Sequence, residues 1–325
     1  MMFGILNLIK SNFRLSIRYF IGFSVIVALI FYVQSQEDII PVLSNFNIAI
    51  LLPVFMLIIV HLLCLFTLWK NIILRVGQLN PGYNTLIHSF LGGRTLGFIT
   101  PGNMGELLKG MFFASGIRLK GTSLSMIYSG YGMFIRTLLG SIAVIYFIFK
   151  IPESLEINLT VSAGLFILII LSTIIFLLFR QNTIRSYLIH YLPQQGVELL
   201  RLFKSQLGSK SIKQFISLLS ISLAANLLAA LAFILVLTGF NINVLNIHGL
   251  MAFEAAYFAM SLLPITPSGI GIREGSRVYF FSLIGCSQPA VLCASVIMFT
   301  MNIMLPALAG IHSLKYFWEK EYGNP

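Results

Sequence analysis

Eight charged side chains lie within segments of the sequence that are otherwise apolar. A charged group in such a segment is costly to bury, so it is expected to face the protein interior and to have a partner or a function. Five of the eight are basic and three are acidic, which leaves a surplus of positive charge. The planar guanidinium of arginine donates two parallel hydrogen bonds to a phosphate. A binding site for an anionic group is therefore predicted from Arg94, Glu106, Lys109, Arg136, Glu254, Arg273, Glu274 and Arg277.

Arg136 gives the strongest signal among these charges because it lies in the middle of the apolar run 122–149. An arginine at the centre of a membrane helix costs ~2.5–3.5 kcal/mol even on translocon scales. Two interpretations stay open: Arg136 contacts the anionic ligand, or it forms a structural ion pair with Glu106 or Glu254. The three glutamates likewise either hold the basic groups in place or bind a coupling proton.

The pattern Ile-Thr-Pro-x-x-x-Gly occurs twice, at residues 99–105 and 265–271. Proline lacks a backbone donor and clashes with the preceding helical turn, so each copy predicts a break in a helix. Free N–H groups at the start of the following helix would form a positive dipole end that attracts anions. A purely structural kink is the alternative. The candidate ligand-binding residues of the two copies are Thr100, Pro101, Gly102, Asn103, Gly105, Pro267, Ser268, Gly269 and Gly271.

Residues suited to catalysis or metal binding are sparse. Asp38 is the only aspartate, and the five histidines are scattered without the short spacing of metal ligands. The three cysteines lie in or beside apolar helices and predict no disulfide framework. We therefore predict no metal, no cofactor and no catalytic residue. An enzyme acting on a lipid-linked substrate would have to use Glu106 or Glu274.

The elements that carry these residues are predicted to be membrane helices. The chain is 58% hydrophobic and only 10% charged, whereas a soluble domain carries roughly 25% charged residues. At ~1.5 Å rise per residue, its apolar runs are long enough to cross a ~30 Å hydrocarbon core. We predict an all-α membrane protein, a polytopic helix bundle of about six full crossings, in a single domain over 1–325. The runs are 17–34, 48–69, 122–149, 160–179, 214–237 and 289–312.

The net charge of +11 is explained by membrane topology rather than by nucleic-acid binding. If the N-terminus is cytoplasmic, fifteen basic residues fall in cytoplasmic segments and only Lys150 falls in an outside loop. This asymmetry follows the positive-inside rule. It predicts a protein of the cytoplasmic membrane with both termini in the cytoplasm. Segment 180–213 is predicted to be an amphipathic cytoplasmic connector that lies on the inner leaflet.

Two further apolar stretches, 84–117 and 249–286, contain the Ile-Thr-Pro-x-x-x-Gly copies and predict two broken or re-entrant hairpins. Each hairpin is flanked by crossing helices, and the topology gives the two units opposite orientations. This arrangement is typical of the inverted repeat of transporters. The first repeat is predicted over 48–149 and the second over 214–312. We further expect the turns at Pro101 and Pro267 to meet and to form one cradle for a headgroup.

The two motifs together resemble those of the lysylphosphatidylglycerol synthase transmembrane region family, also called flippase-like. The resemblance is carried by Thr100-Pro101-Gly102-Asn103-x-Gly105-Glu106 and Pro264-x-x-Pro267-Ser268-Gly269-Ile270-Gly271-x-x-Glu274, within a similarity over roughly residues 10–315. It implies about eight helices with two re-entrant elements, and a role in moving phospholipid or polyprenyl-type lipid across the membrane. Ser268 departs from the glycine expected at that position.

From the residues and this resemblance we expect a flippase of anionic lipids, with membrane lipids as its partners. The soluble synthase domain of multidomain family members has no counterpart in this sequence, so lysyl transfer by this chain is not expected. The alternative is a membrane component or partner of a separate lipid synthase that makes aminoacyl- or glycosyl-lipids.

Overall fold

The computed structural model describes residues 39–150, 212–263 and 265–322, together with five isolated positions between 27 and 35. Within these residues the protein is helical and contains no strand longer than a single bridge. The predicted run 160–179, most of the run 17–34 and nearly all of the connector 180–213 lie outside the described residues.

The described chain forms ten α-helices, with shorter helical segments between some of them. In chain order they are α1 (Ile39–Ser44), α2 (Leu51–Asn71), α3 (Tyr83–Ile99), α4 (Arg118–Lys150), α5 (Ile212–Gly239), α6 (Ile247–Leu262), α7 (Ile272–Ser282), α8 (Gln288–Phe299), α9 (Leu305–Ala309) and α10 (Ile311–Tyr322). A π-helical turn at Ile72–Val76 extends α2, and another at Thr300–Met304 joins α8 to α9. A 3-10 segment, Met104–Phe112, follows α3.

Four of these helical stretches are long and apolar enough to cross a membrane. They span Ile48–Val76, Ser115–Lys150, Lys213–Gly239 and Gln288–Phe317. They coincide with the predicted runs 48–69, 122–149, 214–237 and 289–312, so the prediction of an all-α membrane protein is confirmed in these regions. The total number of crossings and the inverted repeat stay predictions.

Each broken stretch folds back on itself as a helical hairpin. In the first, an added Cβ at Gly93 would lie 2.3 Å from Cγ of Lys109, and one at Gly97 would lie 2.7 Å from Cγ of Glu106. Residues later in α3 thus contact residues earlier in the 3-10 segment, so the two arms of the hairpin are antiparallel. In the second, Gly269 lies beside Met260, and the Arg277 guanidinium lies over Phe253, so α7 returns along α6.

The long helix α4 packs against both hairpins through glycines. Near its start, an added Cβ at Gly110 of the 3-10 segment would lie 2.0 Å from the Thr122 backbone nitrogen. In its second half, an added Cβ at Gly140 would lie 2.2 Å from Cβ of Phe258 on α6. Small residues allow such close approach of helix backbones in membrane proteins. Two apolar cores flank α4, one around Phe233, Phe253 and Phe281 and the other around Trp69, Phe90 and Tyr128.

Candidate functional site

The two Ile-Thr-Pro turns are in direct contact. Pro101 and Pro267 face each other in an isolated antiparallel bridge. The Gly102 N–H donates to the Thr266 carbonyl at 3.3 Å, and the Ser268 N–H donates to the Thr100 carbonyl at 3.5 Å. The expectation that the two turns meet is therefore confirmed, although they lie 166 residues apart in the sequence.

Both turns use left-handed backbone conformations. Gly102 and Asn103 have φ angles of 56° and 59°, and Ser268 and Gly269 have φ angles of 50° and 70°. A side chain with a Cβ is disfavoured in this region by roughly 1–2 kcal/mol. Ser268 is held there because its Oγ donates to the Phe98 carbonyl at 2.9 Å. The serine that replaces the expected glycine thus adds a bond between the two hairpins.

The N–H groups of the two motif glycines are not free. The Gly105 N–H donates to Thr100 Oγ1 at 2.6 Å, and the Gly271 N–H donates to Glu274 Oε2 at 2.7 Å. A hydroxyl in one turn and a carboxylate in the other already accept from these two donors, so neither N–H is available to an anion in this conformation. An anion at the turns would therefore have to be bound mainly by side chains.

A buried ionic cluster lies behind the first turn. Arg94 Nη1 lies 3.1 Å from Glu106 Oε1, and Lys109 Nζ lies 2.7 Å from Glu106 Oε2. Lys109 is fully buried, and its Nζ lies 3.6 Å from the centre of the Tyr128 ring, with Phe90 also within cation–π distance. One carboxylate thus serves two cations, so the cluster keeps a net positive charge.

A second ionic cluster lies behind the other turn. Arg273 donates to Glu274 Oε1 from Nε at 2.9 Å and from Nη2 at 2.6 Å. Its Nη1 lies 3.4 Å from the Ser268 carbonyl, which links the guanidinium to the tip of the turn. The Arg273 guanidinium also lies 4.5 Å from the centre of the Phe299 ring. Glu274 thereby holds both Arg273 and the start of α7.

Arg277 is buried one turn further along α7. Its Nη1 donates to Ser295 Oγ at 3.0 Å, and its guanidinium lies 4.4 Å from the centre of the Phe233 ring and 5.4 Å from that of Phe253. No carboxylate of the described residues lies within salt-bridge distance of Arg277. Its hydrogen-bond and ring partners are therefore one hydroxyl and two aromatic rings.

Arg136 is carried by α4, the helix that packs against both hairpins. Its Nε donates to the Gly132 carbonyl of its own helix at 3.1 Å, and its guanidinium lies 5.2 Å from the centre of the Tyr257 ring. A direct ion pair of Arg136 with Glu106 or Glu254, one of the two interpretations left open, is absent from the described structure.

Glu254 differs from the other two buried glutamates. Its Oε1 accepts from Asn226 Nδ2 at 2.6 Å, and no basic residue of the described chain forms an ion pair with it. The expectation that the glutamates hold basic groups in place is therefore met by Glu106 and Glu274 and not by Glu254.

Sequence reasoning missed the polar and aromatic partners of the charged residues. The local sequence offers no signal for these partners, because each contact joins residues on different helical segments and depends on how those segments pack. A signal did exist in the glycines of α3, since Gly93 and Gly97 leave room for Lys109 and Glu106. The missed partners are Trp69, Phe90, Tyr128, Asn226, Tyr257 and Ser295. Within the part of the chain that the structure describes, no group of three or more His, Cys, Asp or Glu residues could hold a metal ion.

Long apolar helices around buried charges define this chain as a polytopic α-helical membrane protein. It belongs to the family described as lysylphosphatidylglycerol synthase TM region, whose model matches residues 19–310. This confirms the resemblance carried by the two motifs. No curated protein and no solved structure gave a match. The family is named for the membrane region of a lipid-modifying synthase, and membership is consistent with a lipid-related membrane protein.

Proposed function

We propose that this protein translocates an anionic phospholipid or a polyprenyl-phosphate-type lipid across the cytoplasmic membrane. The observation that carries the proposal is the pairing of the two Ile-Thr-Pro turns, with the basic clusters of both hairpins behind them. In this proposal the headgroup binds beside the paired turns and the acyl or prenyl chains stay in the lipid. Both termini are in the cytoplasm.

The balance of buried charge supports an anionic ligand. Glu106 compensates only one of the two cations that it contacts, and neither Arg136 nor Arg277 forms a salt bridge among the described residues. Uncompensated charge in a low-dielectric interior costs several kcal/mol per ion. A phosphate would compensate part of this cost, because it accepts several charge-assisted hydrogen bonds at once.

The lengths of the hairpin arms support re-entrant elements. Helix α3 has 17 residues and α7 has 11, which gives lengths of about 25 Å and about 16 Å. Both are shorter than a ~30 Å hydrocarbon core. Broken helices of this kind, in corresponding positions of two repeats, mark the substrate site of many transporters. A rocking motion of one repeat against the other would expose that site to each side in turn.

A lipid-flip assay with purified protein tests the proposal. Vesicles would carry fluorescent phosphatidylglycerol, polyprenyl phosphate or phosphatidylcholine of matched chain length, and an impermeant quencher would report the outer leaflet. We expect faster translocation of the two anionic lipids than of the zwitterionic one, and a loss on Arg136→Ala. Equal rates for all three lipids, or rates no higher than in protein-free vesicles, would refute it.

The second candidate function is a membrane component or partner of a lipid-modifying enzyme encoded separately, and the family description favours it. This role does not need the buried charges as ligands. It predicts that Arg136→Ala leaves lipid modification intact in cells, and that a soluble synthase co-purifies with the protein. Retained lipid modification together with absent translocation in vesicles would favour this candidate.

A further inference from the structure

The carboxylate of Glu254 lies in an unusual environment on α6. The side chain is only 2% exposed. One oxygen, Oε1, accepts a hydrogen bond from the Asn226 amide on α5. The other oxygen, Oε2, is buried and has no hydrogen-bond partner.

The arginines at membrane depth on α4 and α7, two helices that pack against α6, are engaged elsewhere. On α4, Arg136 is bound to the Gly132 carbonyl and lies over Tyr257. On α7, Arg273 is paired with Glu274, and Arg277 is bound to Ser295.

Two histidines, one on α2 and one at the start of α6, are likewise hydrogen-bonded to other groups. His61 of α2 contacts the carbonyl of Ala225, the residue before Asn226, through Nδ1. At the start of α6, His248 is hydrogen-bonded to Tyr146 of α4. Asn226 is therefore the one polar side chain of the described residues that contacts the Glu254 carboxyl group.

The protonation state of Glu254 follows from the free-energy costs of burying its ionised and its neutral form. An ionised carboxylate in an apolar interior without a cation has a very large desolvation cost, which proteins avoid by neutralising the group. A neutral carboxyl with one unmet hydrogen bond costs only about 1–3 kcal/mol. Glu254 is therefore neutral in this conformation. It can ionise only if α5 and α6 separate enough for water or a cation to reach Oε2.

We propose that Glu254 is a proton-binding site that couples lipid translocation to the transmembrane proton gradient, an inference that rests on the proposed function. The carboxylate takes up a proton when its side of the bundle is open to water and carries it as the neutral acid in the closed conformation. It releases the proton when the opposite side opens. Glu106 and Glu274 do not serve this purpose, because their oxygens are bound to cations and to a backbone N–H.

Infrared difference spectroscopy of the purified protein tests the proton site without any transport. A protonated carboxyl group has a C=O stretch at a higher frequency than a carboxylate, and an exposed glutamate is ionised at neutral pH. We expect a protonated-carboxyl band at neutral pH that disappears in Glu254→Gln and persists in Glu106→Gln and Glu274→Gln. If Glu254→Gln does not fold, Glu254→Asp should shift the band. A spectrum without this band, or one that no Glu254 variant changes, overturns the proposal.

A flip assay with an imposed pH gradient then tests the coupling. Wild-type translocation should speed up several-fold with the gradient in one direction and slow down when it is reversed. Glu254→Gln should translocate at a rate that the gradient does not change, and Glu254→Asp should keep the dependence. Gradient-dependent translocation by Glu254→Gln would overturn the coupling. Absence of wild-type translocation with any gradient would refute the proposed function, and the infrared band would still decide the proton site.

Discussion

Gly93 of α3 lies against the aliphatic stem of Lys109, so close that an added Cβ would be 2.3 Å from Cγ of the lysine. The absence of a side chain at Gly93 lets the lysine lie along the helix and reach Glu106 while its Nζ lies over Tyr128. A small residue on one arm of the hairpin therefore makes room for a buried cation on the other arm.

Removal of the Glu106 charge should destabilise the first hairpin. Glu106→Gln leaves Lys109 and Arg94 without a counter-charge, and breaking a buried ion pair from one side costs about 3–5 kcal/mol. We expect a lower thermal midpoint in detergent, measured by fluorescence-detected size exclusion after heating. The double variant Glu106→Gln, Lys109→Met should recover part of the loss, because it removes the stranded charge as well. If the double variant loses as much stability as Glu106→Gln and Lys109→Met lose together when measured singly, the two residues are not coupled.

Replacement of Arg136 by lysine should impair translocation while the protein stays folded. The Arg136 guanidinium forms no ion pair in the described structure, so it is available to a phosphate ligand. Its planar fork donates two hydrogen bonds to a phosphate at once, and lysine lacks this fork. We expect Arg136→Lys to reduce the rate about tenfold in the flip assay, as for a loss of ~1.4 kcal/mol of binding in the transition state. Arg75→Lys is the matched control, since Arg75 is exposed and lies outside the proposed site. Unchanged translocation by Arg136→Lys would remove this residue from the site.

The breaks in the helices could be predicted from the sequence because they are local. Pro101 and Pro267 interrupt apolar runs whatever surrounds them, and the long runs predict crossing helices by composition alone. The hydrogen-bond partners of the backbone N–H groups and of the buried carboxylates could not be predicted in the same way. Whether the Gly271 N–H stays free depends on the rotamer of Glu274, and the partner of Glu254 depends on the packing of α5 against α6.

Two variants of Ser268 should separate its hydrogen bond from its backbone strain. Ser268→Ala removes the bond to the Phe98 carbonyl and keeps a Cβ at a left-handed φ of 50°, so we expect a loss of about 1 kcal/mol. Ser268→Gly also removes the bond but relieves a strain of similar size, so its stability should stay near that of the wild type. Denaturation of the two variants in the same detergent compares them. Equal losses for alanine and glycine would show that the backbone at residue 268 is not strained.

Labelling of single cysteines should test the topology. Asn243 lies in the exposed link between α5 and α6, and Gln78 follows the π-helical turn after α2. We expect Asn243→Cys to react with an impermeant maleimide on intact cells and Gln78→Cys to react only after permeabilisation, both in a background without the three native cysteines. Labelling of Gln78→Cys in intact cells would contradict the cytoplasmic location of that loop and, with it, the opposite orientation of the two hairpins.

A disulfide between the two turns should form and should test whether they move. Directly opposite residues in an antiparallel pair have Cα atoms about 4.5–5.5 Å apart, within the usual disulfide range of about 4.4–6.8 Å. In a background lacking native cysteines, Pro101→Cys with Pro267→Cys should crosslink on mild oxidation, as seen by a mobility shift that a reductant reverses. Pro101→Cys with Ser282→Cys is the control, because Ser282 ends α7 about 15 Å along the helix from its start.

If translocation requires the repeats to rock about the paired turns, the oxidised pair should flip lipid at a reduced rate, and the reductant should restore it. A crosslinked protein that translocates at the full rate would show that the turns act as a fixed platform for the headgroup, with the movement confined to the helices around them. Failure to crosslink would contradict the pairing of Pro101 with Pro267 in the membrane.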